Sequence, residues 1–137
     1  DNVEIDSTYA GLRLYAKAEF LLYRNMLEAS LQTLDSINLL AAWHPLHDEV
    51  LFREAEIREK QGLFHQADSL LERITRNYGD DILGDDALYK RARMHEEVFG
   101  DPEKARELYR ELLTRYPGSV YTMEVRRKFR ELRGDEL

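Results

Sequence analysis

Three short clusters in the sequence hold residue types that could do chemistry. In "WHPLHDE", His44 and His47 stand three apart with Asp48 and Glu49 beside them, all ligand types that zinc accepts. Zinc asks for three or four ligands in a tetrahedron. The chain has no cysteine, and His65 and His95 have no evident route to complete such a site. These histidines therefore read as turn and helix-start residues. "HEE" at His95–Glu97 lacks the second histidine of the zinc-protease motif H-E-x-x-H. "GDDILGDD", residues 79–86, gathers oxygens that suit calcium, but ligands at alternate positions followed by a glycine are missing. Aspartates at a helix start explain it more simply. Phosphate-cradling glycine loops and nucleophile elbows are absent. Asp/Glu pairs on helix surfaces are the ordinary solvated face of an acidic chain. No catalytic residue, no metal and no cofactor is expected.

The elements that carry these residues are more informative. With 3 prolines and 7 glycines in 137 residues, long interior segments can stay helical, and the length suits one domain with a real core. No apolar run approaches the roughly 20 residues needed to cross a bilayer. The chain starts at Asp1 and is expected to be the C-terminal part of a longer protein. Without cysteine, disulfides and thiolate chemistry are excluded, and the redox compartment is undetermined. Residues 1–89 hold 8 Lys/Arg against 17 Asp/Glu, a balance of −9. Residues 90–137 hold 12 against 10, a balance of +2, and together these make the net −7. An acidic body argues against nucleic acid as a partner, because phosphate contacts need a coherent basic surface. "RRKFRELR", from Arg126 to Arg133, suits the negative end of a last helix.

The intervals in "GDPEKARELYRELLTRYPGS", Gly100 to Ser119, occur three times along the chain. Leu14, Tyr15, Ala18, Asn25, Leu27, Ser30, Leu34 and Ile37 recur 37 residues later as Leu51, Phe52, Ala55, Gly62, Phe64, Ala67, Leu71 and Ile74. A further 37 gives Leu88, Tyr89 and Ala92. One residue then enters before Gly100, and a shift of 38 gives Pro102, Ala105, Tyr109 and Leu112. Within each copy the apolar residues fall three, four and seven apart, the period of one helical stripe. Between the halves stands Asn25, Gly62 or Gly100, types that tolerate a left-handed cap. Small residues face small ones: Ala18, Ala55 and Ala92 in the first halves, Ser30, Ala67 and Ala105 in the second. Leu34, Leu71 and Tyr109 fill the space beside them. Asp101 reads as an N-cap with Pro102 at the first helical position. Pro117 ends the last copy, and Ser119 is placed to cap the closing helix. In that helix Tyr121, Val125, Phe129 and Leu132 make one amphipathic stripe.

The pattern predicts an all-α fold of about seven helices, near residues 7–23, 26–40, 46–61, 64–78, 82–98, 102–115 and 119–133. They form a single domain, 1–137, of three pairs (7–40, 46–78 and 82–116) plus a terminal helix. "GLFHQADSLLERI" and "GDPEKARELYRELLTRYPGS" resemble the tetratricopeptide repeat family, whose pairs use a glycine, two small residues, an aromatic and a terminal proline at set intervals. The first copy departs from it, with Asn25 for the glycine, Ser30 for the alanine and "LLAAWHPL" for the proline turn. The tail A-x-x-x-Y-x-x-L-x-x-x-Y-P-x-S-x-Y is further similar to repeats of bacterial envelope proteins, namely the outer-membrane assembly lipoprotein and the Tol–Pal partner. That similarity implies a periplasmic or envelope location, with the cytoplasm as the alternative.

The resemblance implies a right-handed superhelix of antiparallel helix pairs whose inner face, lined by each first helix, holds a peptide or partner protein. It implies no enzymatic activity. Tyr15, Phe52 and Tyr89 share one repeat position, three before the packing alanine. Glu19, Glu56 and Arg93 follow it by one, and Leu22, Glu59 and Glu96 by four. Such a groove would be aromatic and mostly acidic, suited to a segment with apolar anchors and Lys/Arg. Two readings of the rings stand: a ligand ladder, or ordinary packing between helices. The family's clamp for acidic chaperone tails presents Lys, Arg and Asn, whereas Glu56, Glu59, Glu96 and Glu97 stand here, so that activity is not expected. An alternative function is structural. Apolar "YAGLRLYAKAEFLLY" at the first helix would stack on upstream repeats or make a homodimer.

Overall fold

The computed structural model describes residues 2–40, 46–77 and 82–134, without the side chains of 2–8 and 77. The seven helices described are α1 (Asn2–Tyr23), α2 (Leu27–Asn38), α3 (His47–Lys60), α4 (Phe64–Asn77), α5 (Gly84–Glu97), α6 (Pro102–Arg115) and α7 (Thr122–Arg133). No strand occurs among the described residues. The turns that join the halves are built as their residue types require. Asn25, Gly62 and Gly100 take φ of 60°, 77° and 63°, the left-handed region that Gly and Asn enter most readily. In the first two turns the helix ends in a Schellman pattern. Met26 N donates to the Leu21 carbonyl and Leu63 N to that of Arg58, both at 2.8 Å.

The third turn shows where the extra residue of the 38-residue shift goes. Phe99 N reaches the Met94 carbonyl at 3.0 Å and Asp101 N the His95 carbonyl at 2.8 Å, so the closing bond spans six residues instead of five. The additional residue widens the turn and leaves the flanking helices in register.

The chain forms two compact units, Asp1–Leu63 and Phe64–Leu137. In the first, α1 and α2 pack as an antiparallel pair with α3 beside them. Its core holds Ala18, Leu31, Leu34, Ile37, Val50 and Ile57. The small residue Ser30 does more than leave room: its hydroxyl donates to the Ala18 carbonyl at 2.8 Å, tying α2 to α1.

In the second unit α4, α5, α6 and α7 pack in sequence, and α5, α6 and α7 close around Leu88, Ala92, Ala105, Tyr109, Leu112 and Val125. Ala92 and Ala105 are both fully buried, as close helix packing demands. Asp101 caps α6, accepting from Lys104 N at 3.1 Å with Pro102 in the first turn. A buried polar cluster links α4 to α5. Arg91 Nε donates to Asp68 Oδ1 at 2.7 Å, and His95 Nε2 lies 3.2 Å from Asp68 Oδ2. His65 stacks on Phe99 at 4.3 Å between ring centroids.

Two helix boundaries differ from expectation by more than two residues. α1 begins at Asn2 instead of near residue 7, because "NVEIDST" contains no breaker to stop it. α7 begins at Thr122 instead of 119, and Ser119 does not cap it. The Ser119 hydroxyl donates to Asp85 at 2.7 Å and accepts from Tyr121 N at 3.2 Å, one residue ahead of the helix, while residues 116–122 turn through Ser119 N to the Tyr116 carbonyl at 3.0 Å. His44 and Pro45, with the first three residues of "GDDILGDD", lie outside the described residues. The remaining aspartates of that stretch are occupied: Asp85 by Ser119, and Asp86 by the hydroxyl of Tyr121.

Candidate functional site

Arg53 organises the exposed surface that α1 and α3 share. It follows the core-facing Leu51 by two positions on α3, which turns it toward α1. Its Nε donates to the Tyr15 hydroxyl at 3.1 Å, its Nη2 to Glu19 at 3.1 Å and its Nη1 to Glu56 at 2.9 Å. Burial raises the Tyr15 pKa above its ordinary value, with Arg53 opposing. Burial pulls the Arg53 pKa down, but Tyr15, Glu56 and Glu19 outweigh that and hold the guanidinium above its usual range. Beside this hub lies an open hollow of about 370 Å³ lined by Glu19, Leu22, Tyr23, Arg53, Glu56 and Lys60.

Six of the nine residues expected to face a ligand belong to this unit. Glu19, Leu22 and Glu56 line the hollow. Tyr15 is half-buried against the core, with its hydroxyl spent on Arg53. Leu22 is shared between core and hollow. Phe52 and Glu59 are half-buried on α3 and do not line the hollow. Sequence reasoning missed Arg53, Tyr23 and Lys60. A signal for Arg53 was available: 37 residues on stands Lys90, so the cation recurs at that position.

The other three candidates, Tyr89, Arg93 and Glu96, belong to the second unit, and contacts within that unit engage each of them. The Tyr89 ring stacks on Tyr121, 4.1 Å between centroids and 8° from parallel, and its hydroxyl donates to Glu124 at 2.8 Å. Burial, then Glu124, raises its pKa. Arg93 pairs with Glu97 at 2.8 Å, and that hydrogen bond, outweighing burial, holds its pKa above the usual range. Glu96 accepts from Tyr109 at 2.7 Å and from Lys128 at 3.4 Å.

Residues 49–81 and 86–119 each match the family model of the tetratricopeptide repeat. These two segments are tetratricopeptide repeats. The first spans α3 and α4, the second α5 and α6 with the Tyr116–Pro117 turn. The α1–α2 pair lies outside both matches, yet its turn also passes through a left-handed residue, Asn25 where the later turns have Gly62 and Gly100. No characterised protein matches the chain at a significant level of similarity. Tetratricopeptide repeats generally mediate contacts between proteins. Among the described residues no three His, Asp or Glu side chains converge to hold a metal ion, and no helix is long and apolar enough to cross a membrane.

Proposed function

We propose that this chain is a non-catalytic scaffold that holds a protein segment carrying basic and apolar residues, in the hollow between α1 and α3. The observation that carries this reading is the composition of that hollow. Glu19 and Glu56 present two carboxylates 3.1 and 2.9 Å from a single guanidinium, next to Leu22 and the largely exposed ring of Tyr23. A ligand Lys or Arg can compete for carboxylate lone pairs that Arg53 leaves open, since each ionised carboxylate accepts about four hydrogen bonds. An apolar anchor would settle against Leu22 and the side of the Tyr23 ring that borders the hollow, since a few buried anchors carry most of a contact's affinity. The first unit, 6 Lys/Arg against 11 Asp/Glu over residues 1–63, would attract such a segment on approach.

Selection of displayed random peptides on the purified chain tests the reading. Recovered sequences should be rich in Lys/Arg spaced with aromatic or aliphatic residues. Glu19→Lys with Glu56→Lys should weaken them about tenfold or more while the helical circular dichroism is unchanged. Selection of acidic peptides, or binding indifferent to both charge reversals, would refute it. The similarity of the Tyr-Pro tail to envelope repeats extends the proposal to a cell-envelope location, for which fractionation of the producing cells is the check.

A further inference from the structure

The outer face of α1 is apolar where a solvated helix should be polar. Tyr9, Leu12, Phe20 and Tyr23 are 61%, 50%, 57% and 89% exposed, and Ala16 between them is exposed too. At 100° per residue these five fall within an arc of about 80°, opposite the face through Ala18 and Leu22 that enters the core. α1 is thus apolar on two sides. Arg13 and Arg24 reach over Tyr9 and Phe20 at 5.2 and 5.7 Å from one flank only, and the rings remain open outward.

Stacking of one repeat on another does not require such a stripe. By the 37-residue spacing, Phe20 corresponds to Ile57 and Met94, both buried, and Tyr9 to Leu46 and Leu83, so two apolar positions are what the repeat uses. Leu12 corresponds instead to Glu49 and Asp86, Ala16 to Arg53 and Lys90, and Tyr23 to Lys60 and Glu97. Later copies place charge at three positions where α1 is apolar. The stripe serves something the other copies lack.

Its spacing identifies the occupant. Positions 9, 12, 16, 20 and 23 read the same in both directions about residue 16, with the smallest side chain at the centre and rings at both ends. We infer that α1 pairs with α1 of a second copy, antiparallel and two-fold symmetric, crossing at Ala16. Leu12 then meets Phe20 of the other copy, Tyr9 meets its Tyr23, and Ala16 meets Ala16. A two-fold contact must be self-complementary in this way, each residue finding its mate on an identical surface. The small central residue lets the axes approach to about 8 Å. With aromatic side chains of roughly 150–250 Å² each, the stripe offers on the order of 600 Å² per copy, close to the ~800 Å² per partner of a stable interface.

The absence of cysteine makes the geometry testable by cross-linking. In the 137-residue chain, Ala16→Cys should oxidise readily to a covalent dimer, because the crossing brings the two Cα atoms within the ~4.4–6.8 Å that a disulfide spans. Tyr9→Cys alone should not, since its two copies would lie about 21 Å apart along the axes at 1.5 Å per residue. Mixed with Tyr23→Cys it should yield the mixed dimer. Sedimentation equilibrium should show the cysteine-free chain as a dimer, and Phe20→Glu should weaken it about tenfold or more with helicity retained by circular dichroism. The inference falls if the chain sediments as a monomer at every concentration, if Phe20→Glu leaves the dimer intact, or if Tyr9→Cys cross-links to itself as readily as Ala16→Cys. Tyr23 borders both surfaces, but Glu56→Lys acts on the ligand hollow alone and should leave self-association unchanged, so the two proposals fail separately.

Discussion

At the scale of single residues, charge is held in two different ways. Arg53 is partly exposed and shares its donors among Tyr15, Glu19 and Glu56, so each contact is individually modest in water. Arg91 is buried, at 8% side-chain exposure, and rests mainly on Asp68 at 2.7 Å, with Glu72 at 3.7 Å. Removing one member of a buried pair strands the other in a poor solvent. Asp68→Ala should therefore lower the unfolding free energy by about 3–5 kcal/mol in urea titration, and changing Asp68 and Arg91 together to Leu should cost clearly less. Tyrosines give a second handle. Burial, with Glu96 beside it, raises the Tyr109 pKa well above its ordinary value near 10, and burial with Asp86 does the same for Tyr121. A folded pKa above the unfolded one means that the fold favours the neutral phenol. That contribution is complete below pH ~10 and is lost as pH climbs through the folded values. The urea midpoint should thus hold to about pH 9 and fall above about pH 10, and Tyr109→Phe should remove part of the latest rise in tyrosinate absorbance. A midpoint that climbs through that window would show the opposite linkage.

At the scale of elements, the left-handed turns and the close helix contacts are the features most open to measurement. An added Cβ at Gly62 or Gly100 would meet no atom within 4 Å, so replacement there costs backbone conformation alone. Gly62→Ala should destabilise by about 1–2 kcal/mol, whereas Asn25→Gly, at φ of 60°, should be close to neutral. Ala105→Leu, at a fully buried crossing, should cost about 1–3 kcal/mol through overpacking; unchanged thermal stability would contradict the helix register. These elements were legible because each rests on a local rule. A left-handed residue must be Gly or Asn, a close crossing must be small, and Asp101–Pro102 can only start a helix. The start of α7 was not legible, since the Ser119 hydroxyl that meets Tyr121 N also donates to Asp85, which lies 34 residues away. The fate of Tyr89 was hidden for the same reason. Its spacing marked a ring on the first-helix stripe, but the Tyr121 that covers it comes from the turn into α7, whose rotation no local pattern fixes. In the candidate site, Glu19, Leu22 and Glu56 followed from periodicity, while Arg53 and Lys60 entered through tertiary reach between α1 and α3.

At the scale of the whole molecule, the helix pairs differ in what they carry. The α1–α2 pair carries two apolar faces and lies outside the tetratricopeptide matches. The α5–α6 pair spends its ring and carboxylate on contacts within its own unit. Acidity is concentrated in residues 1–63, the same unit that holds the open hollow. A ligand attracted by this charge should bind more weakly as salt rises, because the Debye length shortens from ~30 Å at 0.01 M to ~8 Å at 0.15 M. An affinity that is constant across that range would remove charge from the account.

The most direct measurement is an amide chemical-shift map of the chain titrated with a peptide of alternating Lys and Leu. Shifts should move at Glu19, Leu22, Tyr23, Glu56 and Lys60, and α7 should stay still. Perturbation centred on α6 and α7, or none at any peptide concentration, would contradict the claim that α1 and α3 form the binding surface.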